Sequence, residues 1–347
     1  KKKMKEFNIK DVKIEKIAID GNQANNTTAG TGIELNSLGG YIRDCTVYDF
    51  DTAGIKSYGQ YFTIENNSVV DCKNFIYIAQ ADHTVVRNNN LTATVATDLA
   101  TIGIYVYPTA NADIIDTDIV GNVCVGVPIL CTAIPETPTT ITSLNIFENT
   151  VDLSRTGLGG YNGPNCIAVN DVIGYCNVSR NIVFTQAAQT GGGLRIGGTS
   201  VRDAQYEISD NIVRMATADV GTSHNGINLF NINGAVVKGN NVRCSAGSSS
   251  DFGIAEAGTC TNIDYGVNDI TGFDQGTFPK ITIKIGERLG LTDSGTVIGA
   301  ANLVLGAGNL NTIDTTAATV NLIDSTGWTA GAVAVLEFSG SITIKHN

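Results

Sequence analysis

The amino-acid sequence predicts an all-β chain wound as a parallel solenoid, and three observations predict it. First, an asparagine corner recurs at Asn67, Asn89, Asn122, Asn149, Asn181, Asn211, Asn240 and Asn268, with Cys45 in the same place one unit earlier. Successive spacings are 22, 22, 33, 27, 32, 30, 29 and 28 residues. Second, a Gly-Ile marker keeps step with it at Gly32, Gly54, Gly103, Gly226 and Gly253, with Gly193, Phe75 and Cys166 at the equivalent place in GLRI, FIYI and CIAV. Third, apolar residues alternate with a period of two, and Val, Ile, Thr and Gly dominate, which disfavours helical repeats. Units this short bury an apolar face only by stacking on their neighbours.

Each unit reads as three strands. Strand A carries the GIxL marker, strand B ends at the asparagine corner, and strand C follows it. Asparagine suits a tight corner because its side chain bonds nearby backbone and tolerates left-handed conformation. Asparagines at one corner of successive coils can also bond each other as a ladder. The unit around Ile129 fits the pattern poorly. Extra residues enter mainly between strand C and the next strand A, at 93–101, 154–165, 187–192, 217–225 and 245–251. Another insertion, 132–140, falls between strands A and B. Loops collected on one edge of a solenoid form a wall beside strand A and mark a binding face.

The predicted organisation is a linker or expression remnant over residues 1–10, a solenoid of about nine or ten coils over 11–278, and a small β-rich domain over 279–347. The last holds the only tryptophan, Trp328. It is expected to cap the solenoid, since an open end exposes unpaired strand edges; a trimerising role is implied only by the family resemblance described below. Residues 14–22 already read as a coil, so the sequence is expected to begin within a longer pattern.

A net charge of −11 argues against nucleic-acid binding, which needs a basic stripe. No apolar run is long enough for a membrane-spanning helix. Eight cysteines show neither CxxC nor zinc spacing, and read as buried thiols of a chain made in a reducing cytoplasm. No metal site or cofactor is predicted, with Ca²⁺ at paired corner acids as the one alternative.

The asparagine corners and stacked GIxL strands resemble the right-handed parallel β-helix of the pectate-lyase-like superfamily over about three quarters of the chain. The C-terminal stretch GNLNTIDTTAATVNLIDSTGWTAGAVAVLEFSGSITIKH resembles the β-domain that often ends bacteriophage tail-spike and tail-fibre chains. The resemblance implies a homotrimer that binds, and often depolymerises, a bacterial surface polysaccharide. It also implies a place in the virion tail or outside the cell after synthesis in the host cytoplasm. The Asp-Phe-Gly-Ala motif of the usual tail-spike opening segment is absent, and no family catalytic motif matches residue by residue.

Registering strand A places Glu34, Lys56, Tyr77, Tyr105 and, further on, Arg195 in one outward column, with Tyr58 and Tyr107 in the next. Aromatic faces with hydroxyl tips suit sugar rings, and an arginine fork suits an acidic sugar. The alternatives are packing against another subunit or within the sheet. Asp49 and Asp71 share a column of strand C, and stacked carboxylates push their pKa values apart, as glycoside hydrolysis requires. They equally suit corner acids that bond turn amides. A hydrolase would use Asp49 and Asp71, or Glu34. A lyase would use Lys56 or a tyrosine as base, with Arg195 or Ca²⁺ holding the uronate. Arg43, Glu65 and Arg87 read as a surface ion-pair ladder, and His83 and His224 as isolated turn or loop residues, with His224 and Asp219 a weaker general-base candidate. The competing readings are a non-catalytic fibre or adhesin and a secreted monomeric carbohydrate-active enzyme.

Overall fold

A computed structural model describes residues 10–22, 30–94, 101–109, 113–133, 140–154, 165–185, 192–216, 225–245 and 252–273, and seven short strands between 293 and 344. The insertion residues 95–100, 134–139, 155–164, 186–191, 217–224 and 246–251 lie outside the described residues, as do residues 1–5, Asp219, His224 and Trp328. The chain divides into two compact units, Lys1–Phe278 and Pro279–Asn347.

The first unit is a parallel β-helix with three faces. Face A comprises Thr31–Leu35, Ala53–Ser57, Asn74–Ile78, Ile102–Val106, Ile129–Thr132, Asn165–Asn170 and their successors. Face B runs from Lys10–Glu15 through Leu38–Arg43, Gln60–Glu65, Ala81–Arg87, Ile114–Val120, Ile141–Phe147 and Val172–Ser179 to Thr261–Tyr265. Two continuous strands, Gly192–Ser209 and Asn225–Lys238, carry both faces and join them into one sheet. Face C is a sheet of ten strands, from Ala18–Asp20 to Asp269–Thr271. Every ladder is parallel, and no helix occurs among the described residues.

Alternate residues point inward and stack by type. Ile33, Ile55, Ile76, Ile104, Ile129, Ile167, Leu194, Ile227 and Ile254 form one buried row on face A. Face C supplies Val47, Val69, Leu91, Cys124, Val151, Val183, Val213 and Val242. Each such side chain stabilises the fold by about 1.5–3 kcal/mol relative to exposure. The Gly-Ile marker has a steric cause. A Cβ on Gly226 would lie 2.1 Å from Val242 Cγ1 and 2.5 Å from the Gly253 carbonyl oxygen, so glycine lets face A close on face C.

The asparagine ladder exists and is buried. Asn67 donates its Nδ2 to Asn89 Oδ1 at 2.9 Å, and the same bond repeats through Asn122, Asn149, Asn181, Asn211 and Asn240 to Asn268 at 2.9–3.0 Å. Each Nδ2 also bonds a face B carbonyl of the previous coil, as Asn122 does with Val86 at 2.9 Å. The left-handed residue is the one before the asparagine, contrary to the expectation that the asparagine itself would take that conformation. Asp44, Asn66, Asn88, Glu148, Arg180 and Asp210 have φ between 54° and 59°. That bend turns the asparagine side chain inward. Cys45 cannot extend the side-chain ladder, but its amide donates to Asn67 Oδ1 at 3.0 Å as each ladder asparagine's amide does to the next.

The unit around Ile129 is regular in the structure. Ile129–Thr132 pairs in parallel with the strands on both sides, and Leu130 fills the outward column between Tyr105 and Ala168. All eight cysteines are free thiols, seven of them buried. Burial pushes Cys72, Cys124 and Cys176 up to about 12, which keeps them as inert thiols.

In the second unit the strands again pair in parallel. Asp293–Ile298, Leu310–Asp314 and Val335–Phe338 form one sheet, and Asn302–Val304 with Leu322–Asp324 and Thr319–Val320 with Thr343–Ile344 form two more.

Candidate functional site

Strand register brings the predicted face A residues together. Glu34 lies opposite Lys56, Lys56 opposite Tyr77, and Tyr77 opposite Tyr105. These positions point outward because the alternate ones, Ile33, Ile55, Ile76 and Ile104, are held in the core. Tyr77 and Tyr105 stack with ring centroids 5.2 Å apart, and Tyr105 and Tyr107 stack at 5.1 Å. Lys56 Nζ lies 4.8 Å from the Tyr58 ring centroid and 5.4 Å from that of Tyr77. Its Nζ is 3.7 Å from Glu34 Oε1. The patch therefore has one cation inside a row of four tyrosines, with a carboxylate at one end.

The electrostatics fix the protonation of the patch. Burial opposes charge on Lys56. The hydrogen bond to Tyr58, and the nearby Tyr58, Glu34 and Tyr77, outweigh it and hold the ammonium above the usual lysine range. Burial likewise raises the Tyr77 hydroxyl, against the pull of Lys56. At neutral pH both are hydrogen-bond donors, so they suit holding a ligand and do not suit abstracting a proton.

Arg195 stands in the same column but five coils beyond Lys56, about 24 Å away at 4.8 Å per coil. Its guanidinium lies over the Phe230 ring at 5.2 Å, and it has no carboxylate partner among the described residues. Arg195 and Lys56 therefore contact different parts of any ligand laid along the solenoid.

Asp49 and Asp71 lie elsewhere, at the corner that follows face C. Both have left-handed backbone, with φ of 61° and 50°. Asp71 accepts from the Thr94 amide at 2.6 Å and the Thr94 hydroxyl at 2.5 Å, so it ties down the corner of the next coil. Burial, then Asp71 and Asp20, push the Asp49 carboxyl above its ordinary range. Among the described residues, no group of three or more His, Cys, Asp or Glu side chains is placed to hold a metal ion.

The surface charge ladder forms as Glu15–Arg43 and Glu65–Arg87 pairs, both at 2.6 Å. Sequence reasoning missed one cluster. His83 is not isolated: its ring stacks on Tyr61, and its Nε2 lies 3.1 Å from Asp116 Oδ2. The signal was present in the spacing, since Tyr61, His83 and Asp116 each stand six residues before a ladder asparagine.

The described first unit is a right-handed parallel β-helix. A family model described as "Right handed beta helix region" matches residues 3–173. No curated protein matches the chain. Among solved structures, the chain is similar to a double mutant of the tailspike protein of E. coli bacteriophage HK620 in complex with a pentasaccharide. The identity is 12% and the TM-score 0.45, over 69% of this chain and 52% of that one. A single mutant of the same tailspike gives 12% identity and a TM-score of 0.46, over 75% and 54%. The Dettilon tailspike protein gives 12% and 0.33, over 88% and 62%. The chain thus spans about half the length of the HK620 chains it matches.

Proposed function

We propose that this chain is the solenoid part of a tail-spike-like receptor-binding protein that holds a bacterial surface polysaccharide along face A. The observation that carries the reading is the stacked row Tyr77, Tyr105 and Tyr107 with Tyr58 and the Lys56 ammonium beside it. Aromatic faces take the C–H faces of sugar rings, and the phenol and ammonium groups donate to ring oxygens and hydroxyls. Arg195, in the same column, gives a long polymer a second contact. The protein acts as a homotrimer in a virion tail.

A depolymerase activity is a second part of the reading, favoured by Asp49. Burial and the neighbouring Asp71 and Asp20 push the Asp49 carboxyl above its ordinary range, the direction that a general acid in glycoside hydrolysis needs. Lys56, as a retained cation, serves to anchor the substrate rather than to act as a lyase base.

The test is a panel of purified capsular and O-antigen polysaccharides. Binding, reducing ends and absorbance at about 232–235 nm are measured for the wild type, Lys56→Ala and Asp49→Asn/Asp71→Asn. The reading expects binding to at least one polysaccharide, weakened in Lys56→Ala, and new reducing ends that disappear in the double variant. Binding without cleavage leaves an adhesin. Absence of binding across the panel refutes the reading, and a single-chain mass in solution refutes the trimer.

A further inference from the structure

Face B carries its own outward row, at the residue six before each ladder asparagine. In most coils the backbone there is left-handed: φ is 80° at Gly39, 53° at Tyr61, 55° at His83, 49° at Asp116, 91° at Gly234 and 54° at Asn262. The bend belongs to the fold, and glycine or asparagine adopts it at least cost. Three successive coils use Tyr61, His83 and Asp116 instead; histidine and aspartate tolerate the bend, and the bulky Tyr61 goes against local preference. Positions that break a local rule in this way are where function is to be sought.

What these residues build is open to solvent. The Tyr61 and His83 rings lie 4.9 Å apart and within 10° of parallel, and their exposures are 54% and 51%. Asp82 Oδ1 meets His83 Nδ1 at 2.5 Å, and Asp116 Oδ2 meets Nε2 at 3.1 Å. The second oxygen of each carboxylate has no partner among the described residues.

Three coils further on, Tyr175 stands opposite Ser143 in the same row and is 38% exposed. It rims an open hollow of about 570 Å³ lined by Gly174, Tyr175, Ala204, Gln205, Asn233 and Gly234. Gly234 leaves out the side chain that fills the row near Tyr61, and Gly174, also at positive φ, adds none beside Tyr175. The platform and the hollow are about 14 Å apart at roughly 4.8 Å per coil, a span that a short extended oligosaccharide bridges.

We infer that face B bears a second saccharide-binding strip, from the Tyr61–His83 platform to the hollow at Tyr175, selective for neutral pyranose rings and independent of the face A patch. The rings supply an apolar platform, and the free carboxylate oxygens accept from sugar hydroxyls. A uronate would meet Asp82 and Asp116 with like charge, whereas face A offers Lys56 and Arg195.

The chain has three histidines, so the His83 ring signal is readily assigned by NMR through its loss in His83→Asn. The probes are maltohexaose, cellohexaose and chitohexaose, with hexagalacturonate as the anionic control. At least one neutral hexaose should shift the His83 signal saturably, and hexagalacturonate should not. Tyr61→Gly should weaken that response at least tenfold. Both Tyr61→Gly and His83→Asn should keep or raise Tm, since Gly39 and Asn262 occupy the same bend in other coils. Tyr77→Ala/Tyr105→Ala should leave the His83 response unchanged, which keeps this result separate from the fate of the face A reading. The inference is overturned by no response to any neutral hexaose, by a response to hexagalacturonate alone, by full affinity in Tyr61→Gly, or by a lowered Tm in both strip variants.

Discussion

Successive coils contribute one residue to the buried ladder and one to the outward row of face A, and the two rows differ in what fills them. The ladder is asparagine from Asn67 to Asn268, and each of its side chains bonds the coil beyond it or the one before. The outward row is Glu34, Lys56, Tyr77, Tyr105, Leu130, Ala168, Arg195, Asn228 and Ala255, with no residue type common to all. A buried amide has one set of partners that the stack can offer, and any other residue leaves them unsatisfied. From Glu34 to Tyr105 the outward side chains meet solvent and their neighbours, and on the proposed function their chemistry is free to follow the ligand; Ala168 and Ala255 are themselves buried. Stability belongs to the first row and, on the proposed function, recognition to the second.

The sharpest way to break that division is within the ladder. Asn122→Ala removes bonds to Asn149 Oδ1, Val86 O and Val120 O, strands the Asn89 backbone amide that donates to Asn122 Oδ1, and takes one of three acceptors from Asn89 Nδ2. At about 1–3 kcal/mol for each buried group left unsatisfied, a loss of ~3 kcal/mol or more is expected, read by denaturant unfolding. A loss below 1 kcal/mol would mean that water replaces the amide and that the ladder is not what specifies the stack.

A smaller effect is expected where face A closes on face C. Gly226→Ala places a methyl against Val242 and the Gly253 carbonyl, which should cost about 1–3 kcal/mol by overpacking. Thermal unfolding with and without a polysaccharide ligand should show the same decrement in both, because the glycine faces the core.

The smallest concerns Asp49. Its folded-state pKa is raised, so the folded chain binds more protons than the unfolded one between the two values, and stability falls as pH rises through that window. Asp49→Asn removes that loss, and asparagine tolerates the left-handed φ of 61°. The variant should be as stable as the wild type at the acid end and slightly more stable at neutral pH. A destabilised variant at neutral pH would show that the carboxylate makes a bond the amide cannot replace.

Much of this was legible in the sequence, because a parallel stack repeats one register. Asn67 and Asn89, 22 residues apart, give the ladder, and counting from it gives the outward column through Tyr105. Leu130 was hidden because its unit replaces Gly-Ile with Pro128-Ile129, although the strand pairs normally. The left-handed residue before the asparagines from Asn67 to Asn240 was hidden because Asn, Gly, Glu, Arg and Asp all occupy it and show no common type. The meeting of His83 with Asp116 crosses a coil lengthened to 33 residues, so a fixed 22-residue step misses it and only counting back six from each ladder asparagine finds it. The parallel pairing of the second unit had no corner asparagine to announce it.

The division between the two rows is tested most directly by one variant read in two ways. Tyr77→Ala/Tyr105→Ala removes the centre of the face A stack and leaves Ile76 and Ile104 in the core. On the proposed function, its affinity for a polysaccharide from the panel, by calorimetry, should be at least tenfold below that of the wild type, roughly the loss of one or two aromatic contacts, while Tm stays within about 3 °C of the wild type. Undiminished affinity, or a large fall in Tm, would place the tyrosines with the ladder as structural residues and contradict the account.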